Sequence, residues 1–187
     1  MHGKDTITGA PMKIAVTGHT QGIGREVALQ LAALGHEVVG FSTSTGSDIE
    51  RLDDFADALL ACDALANVAF HPTAQTELLR RVVQAWRLNP NKTIVNVSSA
   101  VVWYPSGSPY HDQVVRPAKR ALDAAARELA LKSRCRISTV AFGMVDTEPT
   151  RLAFPKARKM PVEEAAALVV QHLTAKTWTL YALSMPR

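Results

Sequence analysis

The sequence predicts an α/β domain in which helices cover both faces of a doubly wound parallel sheet. Two observations predict this fold class. Short apolar runs of strand length alternate with segments of 3.6-residue periodicity, and no internal repeat or low-complexity tract interrupts the alternation. The chain has 187 residues, of which 47% are apolar, and is long enough to bury one core. We therefore expect a single domain over residues 12–187, preceded by a flexible leader over residues 1–11.

Seven strands are expected from apolar or β-branched runs that end at turn residues. The run at residues 93–97 is the richest in β-branched residues, and the one at 48–49 is the shortest. The expected strands are residues 12–16, 37–41, 48–49, 64–69, 93–97, 136–141 and 177–183.

Five helices are expected between these strands. In the segment 73–88, apolar residues at 78, 79, 82, 83 and 86 form one helical face, and Asn89 and Pro90 stop the helix. Pro117 and Pro161 suit first-turn positions, because the N–H that proline lacks has no intrahelical partner there. Residues 98–115 and 143–160 are expected to be irregular, and loops of this length in a compact domain are usually functional. The expected helices are residues 22–34, 52–61, 73–88, 117–132 and 161–173.

Charge and cysteine content narrow the functional classes. The net charge of +4 comes mostly from cations spread over the expected helix surfaces, so no nucleic-acid partner is expected. The segment 151–159 (RLAFPKARK) has no acid, and it is either a solvated surface or a contact for an anionic ligand. The sequence has no run of 18 apolar residues and no N-terminal apolar block, so neither a membrane span nor a signal peptide is expected. Cys62 and Cys135 have no pairing pattern, which favours free thiols in a reducing cytoplasm, and no metal site is expected.

The strongest functional signal is the stretch TGHTQGIG at residues 17–24, with glycines at 18, 22 and 24. It follows an apolar strand and precedes a helical pattern. Such a turn brings backbone N–H groups and a helix N-terminus up to a diphosphate, and only glycine allows so close an approach. The sequence therefore predicts a Rossmann-type dinucleotide-binding domain. The competing interpretation is a tight strand-to-helix connection without a ligand.

Five segments in the same order resemble motifs of the short-chain dehydrogenase/reductase family. TGHTQGIG resembles the cofactor turn TGxxxGIG, and Asp48-Ile49 falls where the family has an acidic residue on the adenine. LANVAF at 65–70 is similar to the segment that ends in NNAG, with Phe70 in place of the glycine. IVNVSSA at 94–100 is similar to the strand that carries the catalytic serine, and FGMVDT at 142–147 to the PGxVxT segment beside the nicotinamide.

The resemblance implies a nicotinamide dinucleotide cofactor. An acid at the end of the second strand would select NAD and an arginine NADP. This chain has the uncharged Ser42 and Thr43 there, so nothing repels the phosphate and we favour NADP over NAD. His19 either contacts the diphosphate or is an ordinary surface histidine. The expected cofactor-binding residues are Thr17, Gly18, His19, Gln21, Gly22, Ile23, Gly24, Ser42, Thr43, Asp48, Ile49, Asn67, Ala69, Lys119, Gly143, Val145 and Thr147.

The resemblance also implies a catalytic serine, tyrosine and lysine. Ser99 matches the serine that bonds the reacting oxygen, and Ser98 takes the role if the register differs by one. Lys119 matches the lysine that holds the ribose and lowers the pKa of the tyrosine. Four residues before it stands Val115, which cannot transfer a proton. Pro117 also argues against a regular helical turn between the two positions.

Two interpretations of the missing tyrosine stay open. Tyr110, eleven residues after Ser99, has roughly the serine-to-tyrosine spacing of the family and is the expected proton donor. Alternatively, Tyr104 and Tyr110 are aromatic anchors of the loop. His111 is a third candidate donor. The asparagine that the family carries on the fourth helix is not evident, and Thr73 or Gln75 occupies its approximate place.

The resulting expectation is a cytoplasmic, NAD(P)-dependent oxidoreductase that interconverts a carbonyl and an alcohol on a small-molecule substrate. The alternative is a catalytically inactive dinucleotide-binding sensor or scaffold. The segment 148–160 is short for a substrate lid, which implies an open pocket. The resemblance further implies a homodimer or homotetramer, paired through the helices at 73–88 and 117–132.

Overall fold

The computed structural model describes residues 10–104, 107–175 and 181–185. Its six strands are β1 (Lys13–Thr17), β2 (Glu37–Phe41), β3 (Ala64–Asn67), β4 (Thr93–Ser99), β5 (Arg136–Phe142) and β6 (Tyr181–Ser184). They form one entirely parallel sheet with the order β2-β1-β3-β4-β5-β6. The predicted fold class, a doubly wound parallel sheet with helices on both faces, is confirmed.

Helices cover both faces of the sheet because the inner strands are apolar on both sides. The helices are α1 (Gly22–Ala33), α2 (Ala56–Leu60), α3 (Ala74–Trp86), α4 (Arg116–Lys132), α5 (Glu148–Ala153) and α6 (Val162–Thr174). Ile14, Val95 and Val140 pack with α1 and α6, whereas Leu65 and Ile94 pack with α2, α3 and α4. Strands buried on both faces read as continuous apolar runs, which is why the sequence pattern located them well. Among the described residues, no helix has the length and apolar character needed to cross a membrane.

The strand predicted at residues 48–49 is wrong. The Asp48 carboxylate instead accepts a hydrogen bond from the Glu50 N–H at 3.0 Å and caps a 3-10 segment, Ile49–Asp54. A short polar side chain that bonds its own backbone in this way competes with strand pairing. The sheet therefore ends at β2, and the helix predicted at 52–61 is divided into this 3-10 segment and α2.

Two segments predicted as irregular contain helix. A π-helical turn, His111–Val115, runs directly into α4, so this helical stretch begins well before Pro117. In the segment predicted as irregular at 143–160, α5 begins at a capping box formed by Thr147 and Thr150. The last predicted strand, at 177–183, is observed as β6, and its residues 177–180 lie outside the described residues. So do residues 1–9 of the expected leader.

The strand order changes direction at β1, because β2 lies on one side of it and β3 on the other. In open α/β sheets, ligands bind beyond the carboxyl ends of the strands at such a switch point. The glycine turn follows β1, and the segment containing Phe70 follows β3. The fold thus brings the two segments together at the place where a ligand is expected.

Candidate functional site

The glycine turn depends on glycine at all three positions. Gly18 and Gly22 have φ values of +72° and +52°, in the left-handed region that favours glycine. A Cβ atom on Gly24 would lie 2.2 Å from the carbonyl oxygen of Gly18, so no side chain fits there. A Cβ atom on Gly18 would lie 3.3 Å from the Cα atom of Ala69. The turn is therefore folded tightly on itself and packed against the segment that follows β3.

Thr17 fixes this packing. Its hydroxyl is fully buried, accepts hydrogen bonds from the N–H groups of Val68 (2.9 Å) and Ala69 (3.0 Å), and lies 3.4 Å from the Ala66 carbonyl. The ends of β1 and β3 are joined through one side chain. These bonds show that Thr17 holds the two strand ends together, and its direct contact with a cofactor remains a prediction.

Three hydroxyl groups form a closed triangle at the end of β2. The Thr20 Oγ1 atom lies 2.9 Å from Ser42 Oγ, which lies 3.0 Å from Ser44 Oγ, and Ser44 bonds back to Thr20 at 3.1 Å. Ser42 is one of the predicted cofactor contacts, and Thr20 and Ser44 are not among them. The hydroxyl-rich sequence STST after β2 was the available signal. Thr43, also predicted, is exposed beside the triangle in a 3-10 turn.

His19 lies between the glycine turn and β2. A Cβ atom on Gly40 would come within 2.3 Å of the imidazole ring, so Gly40 makes the space that the ring occupies. His19 is half-buried, and its Nδ1 atom is buried without a hydrogen-bond partner among the described residues. Gln21 is exposed at the start of α1, and Ile23 packs against the core beneath α1 and α6. The predicted contacts of these three residues with a diphosphate are untested.

On the opposite side of the glycine turn lies the segment after β5. Gly143 donates its N–H to the Ser184 carbonyl at 2.8 Å, and Val145 pairs with Met160 in an isolated bridge. Residues 146–159 therefore form a loop closed at its base. The Thr147 methyl carbon lies 3.3 Å from the position of a Cβ atom on Gly22, so this loop reaches the glycine turn.

At the end of β4, two serines have different surroundings. Side chains of successive strand residues point to opposite faces of a sheet, so Ser98 and Ser99 diverge. The Ser98 hydroxyl is buried and has no hydrogen-bond partner among the described residues. Ser99 is half-buried, and its hydroxyl accepts the Val101 N–H at 3.3 Å.

Tyr110 is 55% exposed, and its ring meets the His111 ring edge-on at a centroid distance of 5.6 Å. His111 in turn contacts Phe154 of the loop at 5.3 Å. Among the described residues, no hydrogen bond joins Tyr110 to Ser99 or Lys119. Val115 is buried, so position 115 faces the protein interior.

Lys119 is enclosed by a polar network. Only 5% of the residue is exposed, and its Nζ atom donates to Gln75 Oε1 and to the Val97 carbonyl, both at 2.7 Å. Burial lowers the pKa of Lys119 from 10.5 to about 7, and the nearby Asp123 carboxylate opposes this shift. The Phe70 ring covers the ammonium at 5.1 Å from its centroid.

Gln75 connects this lysine to β3. Its Nε2 atom donates to the carbonyls of Asn67 (3.0 Å) and Val97 (3.3 Å). Asn67 is fully buried, and its Nδ2 atom donates to the Gln75 carbonyl at 3.1 Å and to Asn96 Oδ1 at 2.9 Å. Of the two candidates for the place of the helix asparagine, Gln75 bonds Lys119 directly. Asn96 was missed, although a polar residue inside the apolar run IVNV was a usable signal.

Known proteins resemble this chain in fold and only weakly in sequence. No family model matches the chain, and no curated protein matches it. Solved structures do match. A short-chain dehydrogenase/reductase family protein has a TM-score of 0.74 at 20% identity, covering 92% of this chain and 95% of that one.

Two further structures contain a cofactor. A short-chain dehydrogenase from Burkholderia cenocepacia in complex with NADP has a TM-score of 0.69 at 20% identity, covering 92% and 87% of the two chains. The closed form of serine dehydrogenase with NADP+ has a TM-score of 0.76 at 14% identity, covering 94% and 95%. The chain thus has the fold of the short-chain dehydrogenase/reductases, and the resemblance seen in its motifs is supported by structure.

Proposed function

We propose that the protein is an NAD(P)-dependent oxidoreductase of the short-chain dehydrogenase/reductase type that interconverts a carbonyl and an alcohol. The observation that carries the proposal is the glycine turn at the switch point of the sheet, where Gly24 is pressed against the Gly18 carbonyl. A turn this tight, directly before a helix N-terminus, suits a diphosphate. The structural neighbours in complex with NADP or NADP+ are consistent with the proposal.

NADP is the favoured cofactor. The hydroxyl triangle of Thr20, Ser42 and Ser44 lies at the end of β2, where dinucleotide-binding folds contact the 2′-hydroxyl or 2′-phosphate of the adenosine ribose. Hydroxyl groups can donate to a phosphate, and no carboxylate is part of the triangle. A structural neighbour from a Pseudomonas species was solved with NADH, so the fold itself accepts either dinucleotide.

The chemistry assigned to this chain uses three side chains. A bound nicotinamide would supply or accept the hydride. Ser99 would donate a hydrogen bond to the substrate oxygen, Lys119 would hold the nicotinamide ribose, and Tyr110 would transfer the proton. For that transfer, Tyr110 must turn from its exposed position toward Ser99.

The alternative function is a dinucleotide-binding sensor without catalysis. It is favoured by the burial of Val115, the exposure of Tyr110 and the enclosure of Lys119. Both functions require the same dinucleotide site. They differ in whether a carbonyl substrate is turned over.

A pair of glycine variants tests the shared requirement. Gly22→Ala adds a methyl group at the contact with Thr147, whereas Gly35→Ala, at the far end of α1, adds one where no atom lies within 4 Å. Both positions have positive φ, so both substitutions strain the backbone. In fluorescence titrations with NADPH and NADH, we expect Gly22→Ala to weaken binding at least tenfold and Gly35→Ala to leave it unchanged. Equal affinities for all three proteins, or no binding to the wild type, would refute the site.

We further propose that the substrate is a small molecule and that the protein is cytoplasmic. We also propose that it forms a homodimer or homotetramer in which α3 and α4 make the contact between subunits. Ala121, Ala124 and Leu131 are exposed on α4, and small side chains allow close helix packing. Light scattering coupled to gel filtration tests the assembly. An Ala124→Arg variant should then be monomeric, and a wild-type monomer would contradict the proposal.

A further inference from the structure

The ammonium group of Lys119 has three N–H donors and two oxygen partners. A lysine ammonium donates up to three hydrogen bonds and accepts none. Two donors are used on Gln75 Oε1 and the Val97 carbonyl at 2.7 Å each. The third donor is the one available for a ligand.

The Phe70 side chain lies over the same ammonium. Its ring centroid is 5.1 Å from the Nζ atom, within the range of a cation–π contact. Phe70 is 38% exposed, whereas Lys119 is 5% exposed, so the contact joins a buried ammonium to a ring that reaches solvent. It lies three residues after β3, at the carboxyl end of the strands, where the glycine turn also lies.

We propose that Phe70 controls access to Lys119, because its ring and a ribose hydroxyl of a bound dinucleotide compete for the same side of the ammonium. The inference rests on the proposed function, since it specifies how that site admits its ligand. Binding then requires the Phe70 ring to turn away. Phe70 is thus a residue that sets affinity without being catalytic.

The other walls around the ammonium are fixed. Gln75 is 2% exposed, and its side-chain oxygen and nitrogen are both hydrogen-bonded. Val97 is part of β4, and its carbonyl accepts from both Lys119 and Gln75. The N–H of Ala69, which precedes Phe70, is held by Thr17. Among these neighbours of the ammonium, Phe70 is therefore the one whose side chain no hydrogen bond holds in place.

Two variants separate the size of the ring from its π face. Phe70→Gly removes both, and Phe70→Leu keeps apolar bulk but removes the π face. Cation–π contacts are worth about 0.5–2 kcal/mol, which corresponds to a roughly two- to thirty-fold change in affinity. We expect Phe70→Gly to bind NADPH tighter within that range and Phe70→Leu to fall between it and the wild type.

A second measurement needs no dinucleotide. The Cε signal of Lys119, assigned with a Lys119→Arg variant, is titrated by NMR in proteins labelled with [13C]lysine. Burial is the main cause of the lowered pKa, and Asp123 is the charged group that opposes it. Phe70→Gly removes the cation–π contact, which favours the charged lysine, and admits water, which also favours it. We expect the effect of water to prevail and the pKa of Lys119 to rise in Phe70→Gly.

The outcomes separate this inference from the proposed function. An unchanged pKa in Phe70→Gly overturns the covering of Lys119, whether or not a dinucleotide binds. A raised pKa with NADPH affinity equal to or weaker than the wild type overturns the competition and leaves the dinucleotide site intact. A raised pKa with no binding to any of the proteins overturns the proposed function. Tighter binding together with a raised pKa supports both.

Discussion

Replacing Lys119 by methionine should change how stability depends on pH. Below pH 7, Lys119 is protonated in both the folded and the unfolded states. In the folded state this charge is buried and desolvated. The pKa falls from 10.5 to about 7, and each pKa unit corresponds to about 1.4 kcal/mol. The charged lysine therefore costs the folded state about 5 kcal/mol at low pH.

The sign of the pH dependence follows from proton binding. Between pH 7 and 10.5, the unfolded state binds more protons than the folded state, so wild-type stability rises with pH in this window. Lys119→Met lacks this contribution. The difference in unfolding free energy between wild type and variant should therefore shift by about 4 kcal/mol in favour of the wild type from pH 6 to pH 10.

Urea denaturation at a series of pH values measures this shift. Other groups that titrate in the same window are present in both proteins and cancel in the difference. The variant also leaves Gln75 Oε1 without its donor, but that loss does not vary with pH. Lys132→Met is the matched control, because Lys132 lies on the same helix, is exposed and pairs with Glu128. A difference that stays flat within about 1 kcal/mol, which is less than one pKa unit, would refute the reasoning.

Further predictions concern the glycine turn and its neighbours. Gly24→Ala should lower the unfolding free energy by about 1–3 kcal/mol, because the added methyl meets the Gly18 carbonyl; urea denaturation measures this, and an unchanged midpoint contradicts it. Thr17→Val keeps the shape but leaves two N–H groups without their acceptor, at a cost of about 2 kcal/mol in the same assay. Ser42→Ala should weaken NADPH binding several-fold and leave NADH binding unchanged, whereas equal losses would exclude the hydroxyl triangle as the phosphate contact. Tyr110→Phe should lower turnover roughly 100-fold or more at unchanged cofactor affinity if the tyrosine transfers the proton. Full activity of this variant would show that Tyr110 is not the proton donor.

The sheet was predictable because its inner strands are apolar on both faces. The turn after β1 was predictable because a close backbone approach leaves glycine as the sole choice, as the contact of Gly24 with the Gly18 carbonyl illustrates. In both cases the constraint acts on a few consecutive residues. A local constraint leaves a readable pattern in the sequence.

Two kinds of feature were not predictable, namely local backbone arrangements without a sequence signature and burial by distant residues. Asp48 was assigned to a strand, although its carboxylate caps the following turn. The π-helical turn before α4 has no sequence signature, so the helix was expected to begin at Pro117. Lysine is usually exposed, and the enclosure of Lys119 arises from residues 44 and 22 positions away in the chain, Gln75 and Val97.

The two cysteines have a practical consequence. Both were expected to be free and are free and buried in the structure. Burial raises the pKa of the Cys62 and Cys135 thiols, and the thiolate is the form that reacts. Maleimide reagents should therefore modify the native chain slowly. A single cysteine introduced at the exposed Leu152 would be labelled first, giving a spectroscopic reporter on the loop that touches the glycine turn.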